Sequence, residues 1–331
     1  MRLLIAALAC ALATPVLADD STAELAAGGL QFTHAPDIRM AVEDLRISPT
    51  DVRIRYEFAN DGAKDVTTIV AFPLPDIDSY EFYGSPIGMV QKDPVNFVGF
   101  KAVVDGKPVA VQVEQRAILN GRDVTAQVKA AGLPVNVILA RDNNDLIAAL
   151  PAAKKAALVK AGLAEMQDED NYAARWIVRT KFYWTQTFPA GKTVVIEHSY
   201  KPVTGQALYS EYELNAKPTD DGGPKYRQDY CMDTGTMTAA ARMLAARKKA
   251  SPDNVLLNVT TTDFILTTAN NWKGGIGKFH LTIDKQAPGN ILSLCNYDDI
   301  KKTSAITFEV TRTNFAPTSD IKFMVLSMPT E

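Results

Sequence analysis

The chain has 331 residues, with 35 Lys and Arg against 38 Asp and Glu, a formal charge of −3. That length allows two domains of ordinary size. So mild an acidic balance gives no electrostatic reason to expect nucleic-acid binding, which needs a concentrated basic face.

The chain opens with Arg2, an almost unbroken apolar stretch over 3–13, Pro15, and then Val16-Leu17-Ala18. A short positive start, an apolar run of this length and small residues at the end predict a cleavable secretory signal over 1–18, cut between Ala18 and Asp19. The run is too short to cross a bilayer, which takes roughly 20 apolar residues, and no later run approaches that length. Cys10 invites a lipid anchor, but Ala7 stands where a large apolar residue belongs. The mature protein is therefore expected to be periplasmic or secreted, with no transmembrane segment.

The dominant period after that is two. Val52, Ile54, Tyr56 and Phe58 alternate with Arg53, Arg55 and Glu57, the pattern of a half-buried strand. Asn60-Asp61-Gly62 is expected to turn the chain into a hairpin with a strand over 66–72. A second hairpin is expected over 97–104 and 108–115 around Asp105-Gly106. A third is expected over 177–188 and 193–200 around Pro189-Ala190-Gly191.

Between 118 and 172 the alternation stops and alanine and lysine crowd in. Val128-Lys129-Ala130-Ala131-Gly132-Leu133 and Leu158-Val159-Lys160-Ala161-Gly162-Leu163 each place Gly after a last helical turn and Leu after that. This is the Schellman stop, with its apolar contact five residues back. The segment reads as a helical insertion between two strands of one sheet.

Strands resume over 207–214, 255–268, 278–283, 291–295, 305–311 and 321–327, broken by one helix near 237–249. The Gly-rich stretch 272–277 reads as a hairpin turn. These elements predict a mainly β protein with two antiparallel, sandwich-like domains, 19–203 and 204–331, the first with the helical insertion and the second with one short helix. Cys231 and Cys295 remain after the signal is removed, and in an oxidising compartment they most simply form one disulfide. It would close a loop of about 65 residues, worth roughly 4 kcal/mol on the chain-entropy account. No other Cys or His lies at metal-ligand spacing around either one.

Several stretches together resemble a known family. These are 20–30 (DSTAELAAGGL), 66–77 (VTTIVAFPLPDI), 187–192 (TFPAGK) before 198–202 (HSYKP), 266–274 (LTTANNWKG) and Asn314-Phe315-Ala316-Pro317. The chain resembles the exported bacterial family called domain of unknown function 4424 over essentially all of its mature length. That family has no established activity, so the resemblance implies no catalytic residue. A strand followed by Phe72-Pro73-Leu74-Pro75, then Asp105-Gly106-Lys107 and Gln115-Arg116-Ala117, resembles the vault/inter-alpha-trypsin (VIT) β-sandwich. That second resemblance implies a sandwich used for interaction.

Residues that could carry chemistry are scattered. His198 shares a strand face with Val194, Ile196 and Tyr200, as a hydrogen-bonded core histidine would, while His280 falls on a polar face and His34 beside Pro36. Asp142-Asn143-Asn144-Asp145 begins like a calcium loop, but Ile147 and Ala153 stand where Gly and Glu are required. No cofactor or metal is expected. Tyr80, Phe82 and Tyr83 in a loop, and Trp184 on a strand where it alternates with Tyr183, form the candidate binding surface for another envelope protein or a glycan. No clustered titratable set points to an enzyme, so a non-catalytic binding or interaction module is expected, with the insertion or the loop 76–96 as contact surface. The alternative is a hydrolase of envelope polysaccharide or peptide using Glu197, Glu211 or Asp263.

Overall fold

The computed structural model describes residues 20–26, 29–81, 83, 87–88, 93–138, 146–168, 171–216 and 226–329. Ala18, Asp19 and Phe82 lie outside them. Among the described residues the chain is mainly β, with three large sheets and one small ribbon.

The first sheet holds β1 (Ser21–Ala26), β2 (Gly29–Thr33), β5 (Val66–Pro73), β6 (Ile77–Asp78), β10 (Gln112–Leu119), β11 (Arg122–Asp123) and β14 (Ile177–Phe188). Its order is β11-β10-β14-β5-β1-β2, with β6 also on β14. The second holds β3 (Ile38–Ile47), β4 (Val52–Asn60), β8 (Lys101–Val104), β9 (Lys107–Pro108), β15 (Thr193–Tyr200), β18 (Ile276–Asp284), β20 (Lys301–Lys302) and β21 (Thr307–Phe315), in the order β20-β21-β18-β3-β4-β15-β8-β9. These two sheets form a sandwich. Phe72, Phe182, Trp184 and Phe188 from the first sheet share one buried core with Tyr56, Phe58, Ile196 and Leu281 from the second.

The third sheet holds β7 (Ile87–Gly88), β16 (Thr204–Tyr209), β17 (Leu257–Phe264), β19 (Ile291–Leu294) and β22 (Ile321–Ser327), ordered β19-β22-β17-β16-β7. Alternation splits its side chains between two cores. Phe264, Phe323 and Val325 join the main core. Leu257, Val259, Met324 and Leu326 instead face Ala240 and Leu244 of α5 (Thr234–Ala250) in a smaller one.

Two expected hairpins are sheet crossings instead. β4 pairs with β3 and β15, whereas β5 pairs with β14 and β1. At 60–66 the chain therefore leaves the second sheet for the first, and at 188–193 it returns. Asn60, 2% exposed, ties both corners. Its Nδ2 donates to Lys64 O at 2.9 Å and Phe188 O at 2.8 Å, and its Oδ1 accepts from Gly62 N at 2.8 Å. Asp105 and Gly106 do turn a hairpin, with φ of 47° and 77°, but only into the short β9. The strand beyond, β10, pairs with β14 across the core.

The helical insertion lies between β10 and β14, which are neighbours in one sheet. α1 (Thr125–Ala130) and α2 (Ala152–Lys160) both end in Schellman stops. Leu133 N–H reaches Val128 O at 3.2 Å and Leu163 N–H reaches Leu158 O at 2.9 Å. Gly132 and Gly162 supply the left-handed step, at φ 89° and 70°. Past α2, β12 (Ala164–Met166) and β13 (Tyr172–Ala174) form the small ribbon.

Three elements after residue 203 differ from expectation. The strand expected over 207–214 ends at Tyr209, because Ser210 and Glu213 form a capping box that starts α3 (Glu211–Asn215). A further turn, α4 (Tyr226–Asp229), precedes α5, so this half carries more than one helix. Gly274 and Gly275 do not close a hairpin; with φ of 75° and 73° they lead from a 3-10 turn over Thr267–Asn271 into β18. There β18 runs parallel to β3, from Ile276 beside Met40 to Ile283 beside Ile47. A bulge in β3 turns Ala41 O toward Gly277, where any Cβ would stand 2.7 Å from it. The boundary expected near residue 203 therefore falls within one shared sheet and one shared core.

Cys231 and Cys295 are disulfide-bonded, with Cα atoms 5.1 Å apart. The bridge joins the exposed link between α4 and α5 to the end of β19. Among the described residues no helix is long and apolar enough to cross a membrane.

Candidate functional site

Strands of the second sheet send alternate side chains inward to the core, so the intervening ones share the outer face. Register sets them in two rows, one across four strands and the other across five. One runs His280 (β18), Asp44 (β3), Arg55 (β4), Glu197 (β15); the next runs Thr282, Arg46, Arg53, Ser199 and ends at Lys101 on β8. Between them lies an open groove of about 610 Å³. Most of its charges are paired. Arg46 holds Asp284 at 2.7 Å, Arg53 holds Asp51 at 2.8 Å, Arg55 holds Glu57 at 2.7 Å, and His280 Nδ1 lies 2.9 Å from Asp44 Oδ1. Among the described residues Lys101 and Glu197 have no ion-pair partner within 4 Å.

Sequence reasoning did not assemble this site. It saw Arg53, Arg55 and Glu57 only as the polar side of one strand, and Glu197 as an isolated carboxylate. Asp44, Arg46 and Lys101 carried no signal, because adjacency across β3, β4, β15 and β8 depends on sheet order.

Beneath the groove, on the inner side of β15, His198 is fully buried among the rings of Tyr56, Phe72, Phe100 and Trp184. Its ring nitrogens make no hydrogen bond among the described residues, which corrects the expected hydrogen-bonded histidine. Asp20 Oδ2 lies 3.6 Å from Nε2. Burial pushes the imidazole down to about 3, so it is neutral at neutral pH. Asp20 arrives there because the segment leading into β1 is built into the core. The Trp272 indole N–H donates to Asp20 O, and Asn271 Nδ2 donates to Ser21 Oγ at 2.9 Å.

The candidate aromatics divide. Tyr80 is exposed, donates its hydroxyl to Glu165 Oε1 at 3.0 Å and lies under Arg175, which pairs with Glu165 at 3.1 Å. Tyr83 is exposed nearby in the chain. The loop after β6 is thus fastened to the β12–β13 ribbon. Trp184 is corrected: it is 4% exposed and belongs to the core, so it offers no surface. Val178, Thr180, Phe182 and Trp184 all point inward by the parity of β14, and Tyr183 takes the outer face against Ala23, Leu30 and Ala71.

The three carboxylates considered for hydrolysis sit on different elements. Glu197 lines the groove, Glu211 on α3 pairs with Lys248 at 3.5 Å, and Asp263 on β17 lies 3.8 Å from Lys322. Burial raises the Asp263 carboxyl above its ordinary range, against the pull of Lys322. Among the described residues no three His, Cys, Asp or Glu side chains converge to hold a metal ion.

A family model described as domain of unknown function (DUF4424) matches residues 18–324. No curated protein matches the chain significantly. The chain is similar to a solved structure described as a "putative nutrient binding protein" from Legionella pneumophila subsp. pneumophila str. Philadelphia 1. Identity is 16% and the TM-score 0.44, over 93% of this chain and 70% of that one.

Proposed function

The chain belongs to the DUF4424 family, and for this member we propose an exported, non-catalytic binding module of the cell envelope that takes a small charged solute in its outer-face groove. The observation that carries the reading is the groove itself: two rows of charged side chains on a sheet face that is rigid because its other side is the core. Sites built on strands hold geometry better than sites on loops. Export is supported by the apolar start of the chain and by a disulfide that suits an oxidising compartment. The carboxylates of the hydrolase alternative are dispersed, which favours binding over catalysis. Tyr80 and Tyr83 offer a separate exposed contact for an envelope protein or glycan.

The test is thermal shift of the processed protein against a panel of charged small solutes. At least one should raise the midpoint, and Arg55→Ala with Lys101→Ala should cancel that rise. A rise retained in the double variant places binding elsewhere and overturns the reading. Sequencing the N-terminus of the exported protein should give a start at Asp19; an intact Met1 rules out the processed form.

A further inference from the structure

The groove's charge pattern narrows the kind of solute it takes, an argument that rests on the groove being the binding site. Arg46 and Arg53 are directly opposite each other on β3 and β4. Like charges so placed destabilise a sheet. Each guanidinium turns to an acid of its own, Asp284 or Asp51, so neither stands as a free cation. Lys101 extends this row two strands further, past the hydroxyl of Ser199, and its ammonium group has no ion-pair partner among the described residues. Lys101 is therefore the cation of this row left to attract an anion.

The neighbouring row excludes a simple polyanion. Two residues along the strands, about 6.7 Å away, stand Asp44 and Glu197. Asp44 is satisfied by His280, while Glu197 has no ion-pair partner among the described residues. Lys101 and Glu197 are diagonal neighbours on β8 and β15, since Lys101 pairs with Ser199 and Glu197 with Val103. Diagonal positions lie about 7–8 Å apart, and the two side chains do not meet. An unpaired cation and an unpaired anion at that spacing, in one groove, match a ligand that carries both charges.

We propose that the groove binds a zwitterionic solute of amino-acid or short-peptide type. Its carboxylate lies over the row of Arg46, Arg53 and Lys101, and its ammonium group lies against Glu197. Arg55, held by Glu57, stands beside Glu197 in the same row.

Isothermal titration calorimetry of the processed protein tests this with a pool of free α-amino acids, a pool of tripeptides, the N-acetylated and C-amidated forms of each, and inorganic phosphate and a dicarboxylate as simple anions. Zwitterions should bind, and blocking either end should weaken binding roughly tenfold to a hundredfold, the worth of one charge-assisted contact. The stronger of the two unblocked pools tells amino acid from peptide. Glu197→Gln should erase the difference between free and acetylated forms, and Lys101→Met the difference between acid and amide. Both residues are exposed and unpaired, so circular dichroism and the apo midpoint should be unchanged. If inorganic phosphate or a dicarboxylate binds in a Lys101-dependent way and zwitterions do not, the proposed ligand class fails while the groove stands as a binding site. If no probe of either kind binds, both fail.

Discussion

His198 shows how one side chain takes its properties from what packs on it. Alternation along β15 was enough to place it inward, with Val194, Ile196 and Tyr200. What surrounds it could not be read locally, because its neighbours come from β4, β5, β14 and the segment leading into β1. With the folded imidazole held near 3 and an ordinary value of 6.5 unfolded, the unfolded chain binds the proton first as pH falls. The contribution is fully present above pH 6.5 and is lost as pH falls toward 3, at about 1.4 kcal/mol per pH unit. The thermal midpoint of the wild type should therefore drop more steeply between pH 6.5 and 4.5 than that of His198→Gln, whatever the variant's starting stability. Parallel curves would mean that Asp20, 3.6 Å away, stabilises the imidazolium enough to cancel the cost of burying it.

Elements were more legible than their partners. The strands at 52–60, 66–73, 177–188 and 193–200 were visible from period two, and both helix stops of the insertion from Gly followed by Leu. The pairing was not, because Asn60-Asp61-Gly62 and Pro189-Ala190-Gly191 bend the chain in the same way whether it returns to its own sheet or crosses to another. Tertiary bonds distinguish the crossing, among them those of Asn60 to Phe188 O and to the Lys64 turn. Cysteine pairing was readable, since with Cys10 set aside in the expected signal two cysteines leave one choice. The bridge fastens the lead-in to α5 onto β19 beside the smaller core, where Tyr230 and Met232 flank Cys231. Cys231→Ser and Cys295→Ser should lower the thermal midpoint by similar amounts, and the double variant by no more than either, because each single change already opens the loop. The loss should be about 2–4 kcal/mol, read as roughly 5–15 °C. Two free thiols per chain in denatured, exported wild type would remove the basis of this prediction.

For the whole molecule, the composition shift of the insertion and the resumption of strands after Pro202 suggested a seam near residue 203, yet the fold crosses it. Parallel pairing of β18 with β3 is invisible to hairpin logic, which joins only strands that follow one another. This pairing places Phe279, Leu281 and Ile283 from the later half in the same core as Leu45, Ile47 and Tyr56 from the earlier one. Removing residues 204–331 would strip β3 of one neighbour along the whole of Met40–Ile47 and uncover that apolar face. It would also take away Trp272, which is fully buried against Phe58 and Phe188 and holds Asp20 through its indole N–H. A fragment of residues 19–203 should therefore lack a cooperative thermal transition and near-ultraviolet dichroism, while the full mature chain unfolds in one calorimetric step. The groove makes the same demand on integrity, since Thr282 and His280 on its rim come from beyond residue 203 and Arg53, Arg55 and Lys101 from before it. Two well-separated transitions in the intact chain, or a fragment that folds and retains the groove's ligand, would show instead that each half carries its own core.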